Sequence, residues 1–190
     1  MKNKITPLIS ESYDKEIAQR ALTFSPSQAE LETLIDAGKY VLTNFPDIPG
    51  ACSVMTAMWV GLIRDNTDYP IHAIAGSLSI DGKTIFGKDM KPSQIKNSFL
   101  HGNMDWDGHC WIVLGNYIGD ISISRTAYSD KSPRILKEKI VSSFGGNKGL
   151  FLCPSESARQ EGFQYDPLFV LDAKTVDGLF QGAITIMDKK

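Results

Sequence analysis

Three residues in the middle of the chain have the types and the settings for nucleophilic chemistry: Cys52, His109 and Asp120. Cys52 follows Pro49-Gly50, which fit poorly inside a helix, and precedes Val54 to Arg64, a run apolar nearly all round. A buried helix should therefore begin at about Ala51 to Ser53, with the thiol at its start. A thiol attacks only as the thiolate, and the positive end of a helix favours that form by about 0.3–1 kcal/mol. A neighbouring imidazole has to supply the rest. His109 opens the apolar run His109-Cys110-Trp111-Ile112-Val113-Leu114, and Gly115-Asn116 separates it from Tyr117-Ile118-Gly119-Asp120. This pattern predicts a β-hairpin with a two-residue turn. With that turn Trp111 faces Asp120. His109 lies on the same face two residues earlier, so imidazole and carboxylate are diagonal neighbours about 7–8 Å apart at the backbone. A carboxylate behind the ring fixes its tautomer, and together with Cys52 the set has the logic of a nucleophile, a base and an orienting group.

The surrounding elements must place that set. Ser25-Pro26-Ser27-Gln28 reads as a helix start, with Ser25 as cap, proline in the first turn and glutamine three residues on. The helix carries Leu31, Leu34, Ile35, Tyr40, Val41 and Phe45 and stops before Pro46. A short helix is expected over 13–22. Ile71 to Ile80 and Lys83 to Phe86 read as strands joined at Asp81-Gly82, and 91–100 as one or two helical turns. Residues 101–108 read as a polar loop and 124–130 as another. Ser132-Pro133 starts a helix that ends at Gly145-Gly146, and short strands are expected at 150–153, 168–171 and 183–187. The order of helix, buried helix and then mainly hairpins predicts an α+β fold, with a central buried helix packed on an antiparallel sheet. We read one domain over 1–190: N-terminal helices over 12–45, a core over about 45–125, and a C-terminal helix and strands over 126–190.

Composition narrows the function classes. The chain has 190 residues, 42% hydrophobic and 22% charged, with a net charge of −2. Its basic residues are scattered, so nucleic acid is not an expected partner. No run approaches the roughly 18 apolar residues of a membrane span, and Met1 to Glu16 lacks the apolar core of a signal peptide. Three cysteines do not make a disulfide framework, which suits a reducing compartment. A cytoplasmic protein is expected, with export by a route that needs no cleavable signal left open; the oligomeric state is not legible. Neither a metal nor a cofactor is expected. His101, His109, Cys110 and Cys153 lack zinc spacing, and Gly145 to Gly149 lacks the Gly-Lys-Ser/Thr ending of a phosphate loop. His72, in an apolar strand, reads as core. Cys110 alternates to the face opposite His109 and reads as core too. Trp111 reads as packing beside the site and as a candidate substrate-facing ring.

Cys52 at a helix start, His109-Cys110-Trp111 at a strand start and Asp120 on the next strand resemble the transglutaminase-like superfamily. The resemblance covers roughly residues 45–125. It implies a papain-like core of one helix on an antiparallel sheet, with Cys52 as nucleophile, His109 as base and Asp120 as orienting carboxylate. It also implies a protein, peptide or small-amide substrate. The sequence departs from the family at Ile121-Ser122, where Pro and Thr often follow the aspartate. The Cys-Gly-x-Cys-Trp signature of papain-type proteases is absent. Pro49-Gly50-Ala51 stands where arylamine N-acetyltransferases carry Arg-Gly-Gly, so acyl-coenzyme A is not an expected substrate. The expectation is a cysteine-dependent acyl-transfer enzyme, a protease or amidase that hydrolyses an amide or peptide bond in the first place, with transfer of the acyl group to an amine left open. Beside it stands a catalytically inactive domain of the same fold acting as a protein-binding module, in which Cys52 is an inert buried thiol, His109 a structural histidine and Asp120 a turn carboxylate.

Overall fold

The computed structural model describes residues 2–100, 106–146 and 149–188. His101, Asn147 and Lys148, named in the metal and phosphate-loop readings, lie outside the described residues. The chain opens with α1 (Lys2–Ser12) and α2 (Lys15–Thr23), where the sequence pattern gave one short helix. The next helix, α3, runs Gln28–Asn44. Its cap is Ser27 rather than Ser25. The Ser27 hydroxyl accepts from the backbone of Glu30, and the Glu30 carboxylate accepts from the backbone of Ser27, a reciprocal capping box. Ser-x-x-Glu at 27–30 outcompetes Ser-Pro-Ser-Gln because the Glu30 carboxylate is a charged acceptor for the cap's own N–H, whereas the Gln28 amide donates to Glu32.

Helix α4 (Cys52–Asn66) is the centre of the molecule. It packs on a six-stranded sheet built on the long strand β1 (Ile71–Ile80). Strand β2 (Lys83–Phe86) returns along the distal half of β1 after the Asp81-Gly82 turn, where φ is 48° and 78°. Helix α5 (Pro92–Leu100) leads towards β3 (His109–Leu114), which pairs with the proximal half of β1. Strand β4 (Tyr117–Asp120) completes the expected hairpin. A short helix, α6 (Ile123–Ala127), replaces the loop expected at 124–130, and α7 (Arg134–Phe144) stops at Gly145 with φ 72°. Strand β5 (Phe151–Pro154) borders β4, and α8 (Ser155–Gln160) leads to β6 (Phe163–Val170), which covers the other edge of β1. All pairings are antiparallel.

The last element corrects the expected strand at 183–187: those residues end helix α9 (Ala173–Met187). Its cap is Asp172, whose carboxylate accepts from the Thr175 backbone. Ile184-Thr185-Ile186 is β-branched and reads locally as strand. Val176, Phe180, Ala183 and Met187, however, fall at helical spacing, and they face the α4 core. Phe180 fits because Gly61 of α4 has no side chain: a Cβ there would lie 2.5 Å from the ring.

The sheet is buried on both faces. Ala73, Ala75, Cys110, Ile112 and Leu114 pack with α3, α4 and α9. Ile74, Leu78, Trp111 and Val113 pack with α1, α2 and α7 on the other side. Strands covered on both faces become continuous apolar runs, which is why β3 lacks an alternating pattern. No helix among the described residues is long and apolar enough to cross a membrane.

Candidate active site

Cys52 is the first residue of α4, as its flanks suggested, and its position is fixed from both ends. Upstream, Gly50 adopts φ 78° and turns the chain into the helix. Ala51 is the cap residue and supplies no side-chain hydrogen bond, so the first-turn N–H groups point into the opening without a cap. Downstream, the Trp59 indole donates to the Leu34 carbonyl at 2.8 Å, locking α4 against α3. A further brace comes from α6. The Arg125 guanidinium donates to the carbonyls of Leu42, Phe45 and Pro46 at 2.6, 3.0 and 2.9 Å, holding the chain segment that delivers Cys52.

The hairpin holds the other two residues. Gly115 takes φ 58° at the turn, and the pairs Leu114–Tyr117, Val113–Ile118 and Ile112–Gly119 fix the expected register. Asp120 Oδ2 lies 2.5 Å from His109 Nε2. That contact leaves Nδ1 as the ring nitrogen for Cys52, which is within hydrogen-bonding reach of the imidazole. Asp120 is fully buried yet well satisfied. Its Oδ1 accepts from the backbone N–H groups of Ser122 and Ile123 and from the Ser122 hydroxyl; its Oδ2 also accepts from the Tyr165 hydroxyl at 2.9 Å. Ser122 therefore has a specific task, holding the buried carboxylate from its far side. Tyr165 arrives on β6, outside the core expected at 45–125.

The electrostatics favour an ion pair. Burial alone would suppress the charge on His109; the charge and hydrogen bond of Asp120, aided by Cys52, overcome it and push the imidazole from 6.5 up to about 10. The Cys110 thiol lies within hydrogen-bonding reach of the Cys52 sulfur. This, with the hydrogen bond and charge of His109, outweighs burial and holds Cys52 well below the ordinary thiol range. Burial, and then the neighbouring Cys52, push Cys110 well above that range. Cys110 does face α4, opposite Trp111, but it is more than core: it touches the candidate nucleophile.

Cys52 and His109 lie at the floor of an open cleft of about 440 Å³. Cys52 keeps 9% of its surface and His109 only 2%. Phe86 stacks on the imidazole with ring centres 5.4 Å apart and the planes 17° from parallel. Trp106 forms a wall of the cleft and lies over Gly108, where any Cβ would fall inside its ring. Trp111 is placed differently from the substrate-facing ring expected. It has no exposed surface, does not line the cleft, and packs behind His109 with ring centres 6.4 Å apart. A ring cut off from solvent supports the histidine rather than a substrate, and Trp106 takes the cleft-facing position. Among the described residues no three His, Cys, Asp or Glu side chains are grouped to hold a metal ion. Comparison with known protein families, characterised proteins and solved structures returned no match.

Proposed function

We propose that this protein is a cysteine-dependent acyl-transfer enzyme that hydrolyses an amide or peptide bond, on a core of the papain-like, transglutaminase-like kind. One observation carries the proposal: a fully buried carboxylate holds one nitrogen of His109 while the other is left for a thiol at an uncapped helix start on the floor of a cleft. A histidine serving only structure has no need of a thiolate partner that opens to solvent.

The chemistry follows from the positions. The Cys52 thiolate attacks the carbonyl carbon, and the backbone N–H of Cys52 is placed to donate to the developing oxyanion. The carbon–nitrogen bond breaks, and His109 gives its proton to the departing amine. His109 then takes a proton from water, which attacks the thioester and frees the carboxylate product and Cys52. Asp120 keeps Nε2–H pointed at itself throughout, so Nδ1 remains the working nitrogen.

A panel of fluorogenic peptide amides, with wild type, Cys52→Ala and His109→Ala compared, tests the proposal. Turnover abolished by both substitutions supports it. The binding-module alternative draws on the small exposed surface of Cys52 and His109. It gains if wild type turns over no amide and Cys52 reacts with iodoacetamide no faster than Cys153.

A further inference from the structure

Cys110 makes and breaks no bond in that chemistry, and its placement points to another. It sits on β3 beside His109, fully buried in the same core cluster as Cys52, with its thiol within hydrogen-bonding reach of the Cys52 sulfur. Cys52 is the member of the pair that reaches the cleft; Cys110 has no exposed surface and is absent from the cleft lining. A small oxidant therefore meets Cys52 first, and whatever forms there has a second sulfur close by in the same buried cluster.

We propose that Cys52 is a modification site for hydroperoxides and that Cys110 is its resolving thiol, so that oxidation ends in a Cys52–Cys110 disulfide. The proposal goes beyond amide hydrolysis and stands whether or not that activity is found. In the first step the Cys52 thiolate attacks one peroxide oxygen, the O–O bond breaks, and hydroxide or alkoxide leaves. Cys52 then carries a sulfenic acid. In the second step the Cys110 sulfur attacks the Cys52 sulfur, the S–O bond breaks, and the departing hydroxide takes the Cys110 proton as water. Both thiols are oxidised, the peroxide is reduced, and no other co-reactant is consumed. A dithiol reverses the bond.

Three features favour this course over deeper oxidation. The thiolate character of Cys52, upheld by Cys110 and His109, makes it the reactive sulfur. Cys110 stays protonated and hidden, so it is spared direct attack. The first turn of α4 has no side-chain cap, so the Cys52 backbone can adjust as the two neighbouring sulfurs move to bonding distance. Cys153 provides an internal control: it lies on β5, half-buried, and burial pushes its thiol up to about 11.

The test is titration of the full chain with hydrogen peroxide, followed by alkylation, trypsin digestion without reductant, and mass spectrometry. The expected product joins the peptides spanning 40–64 and 97–125, lighter by two hydrogen atoms, and disappears on reduction with dithiothreitol. Cys153 stays alkylatable. Cys110→Ala should carry Cys52 on to the sulfinic acid under the same treatment, and Cys153→Ala should leave the disulfide intact. The proposal is overturned if wild-type Cys52 becomes sulfinic acid while Cys110 remains a free thiol, or if the cross-link runs to Cys153. Should Cys110→Ala fold poorly, the wild-type peptide map decides alone.

Discussion

At the scale of single residues, Asp120 decides most. It anchors His109, receives Tyr165 and Ser122, and has no exposed surface. Asp120→Asn should place an amide where His109 needs an acceptor, favour the wrong tautomer, and lower kcat by about 10⁴-fold while KM changes little. Steady-state kinetics on the cleaved amide check this. Tyr165→Phe removes one charge-assisted hydrogen bond and should cost about tenfold in kcat/KM, the kinetic equivalent of about 1.4 kcal/mol. Cys52 should alkylate at pH 6 nearly as fast as at pH 8, and His109→Ala should slow the pH 6 rate at least tenfold, read by peptide mass spectrometry. The Cys, His and Asp were legible because each sits in a local frame: a helix start after Pro-Gly, and a hairpin whose parity fixes the faces. Tyr165 was not legible. Its place depends on β6 pairing with β1 at Leu78, and nothing in residues 163–170 names that partner.

At the scale of elements, glycines mark where packing is tightest. Gly76 lies at the irregularity between β1 and β6, and a Cβ there would stand 2.1 Å from the Asp166 carbonyl and 2.9 Å from the Trp111 ring. Gly61 meets only the Phe180 side chain, at 2.5 Å. Gly76→Ala should therefore destabilise more than Gly61→Ala, because backbone gives way less readily than a ring. We expect about 1–3 kcal/mol for Gly61→Ala and more for Gly76→Ala, measured by urea unfolding. Elements were legible in proportion to how local their cause is. Strands β1 to β4 follow from turn residues and apolar runs. Helix α9 does not, because its β-branched end favours strand and its contact with α4 overrides that preference. Helix α6 was hidden for a related reason: Ser124, Thr126 and Ser129 look like loop residues, and the value of Arg125 lies in carbonyls some 80 residues upstream.

At the scale of the whole molecule, two sites tie stability to pH. His72 is buried, lies edge-on to Tyr13 and has no hydrogen-bond partner for either ring nitrogen among the described residues. Burial, and then Arg64, lower it to about 4. The unfolded chain binds this proton more readily, so stability should fall as the pH drops from 6.5 to about 4, by about 3 kcal/mol at most. His72→Leu should flatten that slope in denaturation curves. The Cys52–His109 pair adds an alkaline limit. The folded pair keeps one proton up to about 10, whereas unfolded thiol and imidazole have lost theirs by about 9, so stability should fall as the pH rises through this window. His109→Ala should make this slope shallower, leaving the part that the raised Cys110 and Cys153 thiols contribute. The order of the strands also has a consequence for biosynthesis. β1 emerges from the ribosome early, but its outer edge is closed only by β6, which also brings Tyr165 to Asp120. A nascent chain that has exposed Cys52, His109 and Asp120 still lacks that strand, and its central sheet has one open edge. Asp120 thus gains its Tyr165 partner only after translation has passed residue 170, so the buried carboxylate behind His109 is the last part of the cluster to be completed.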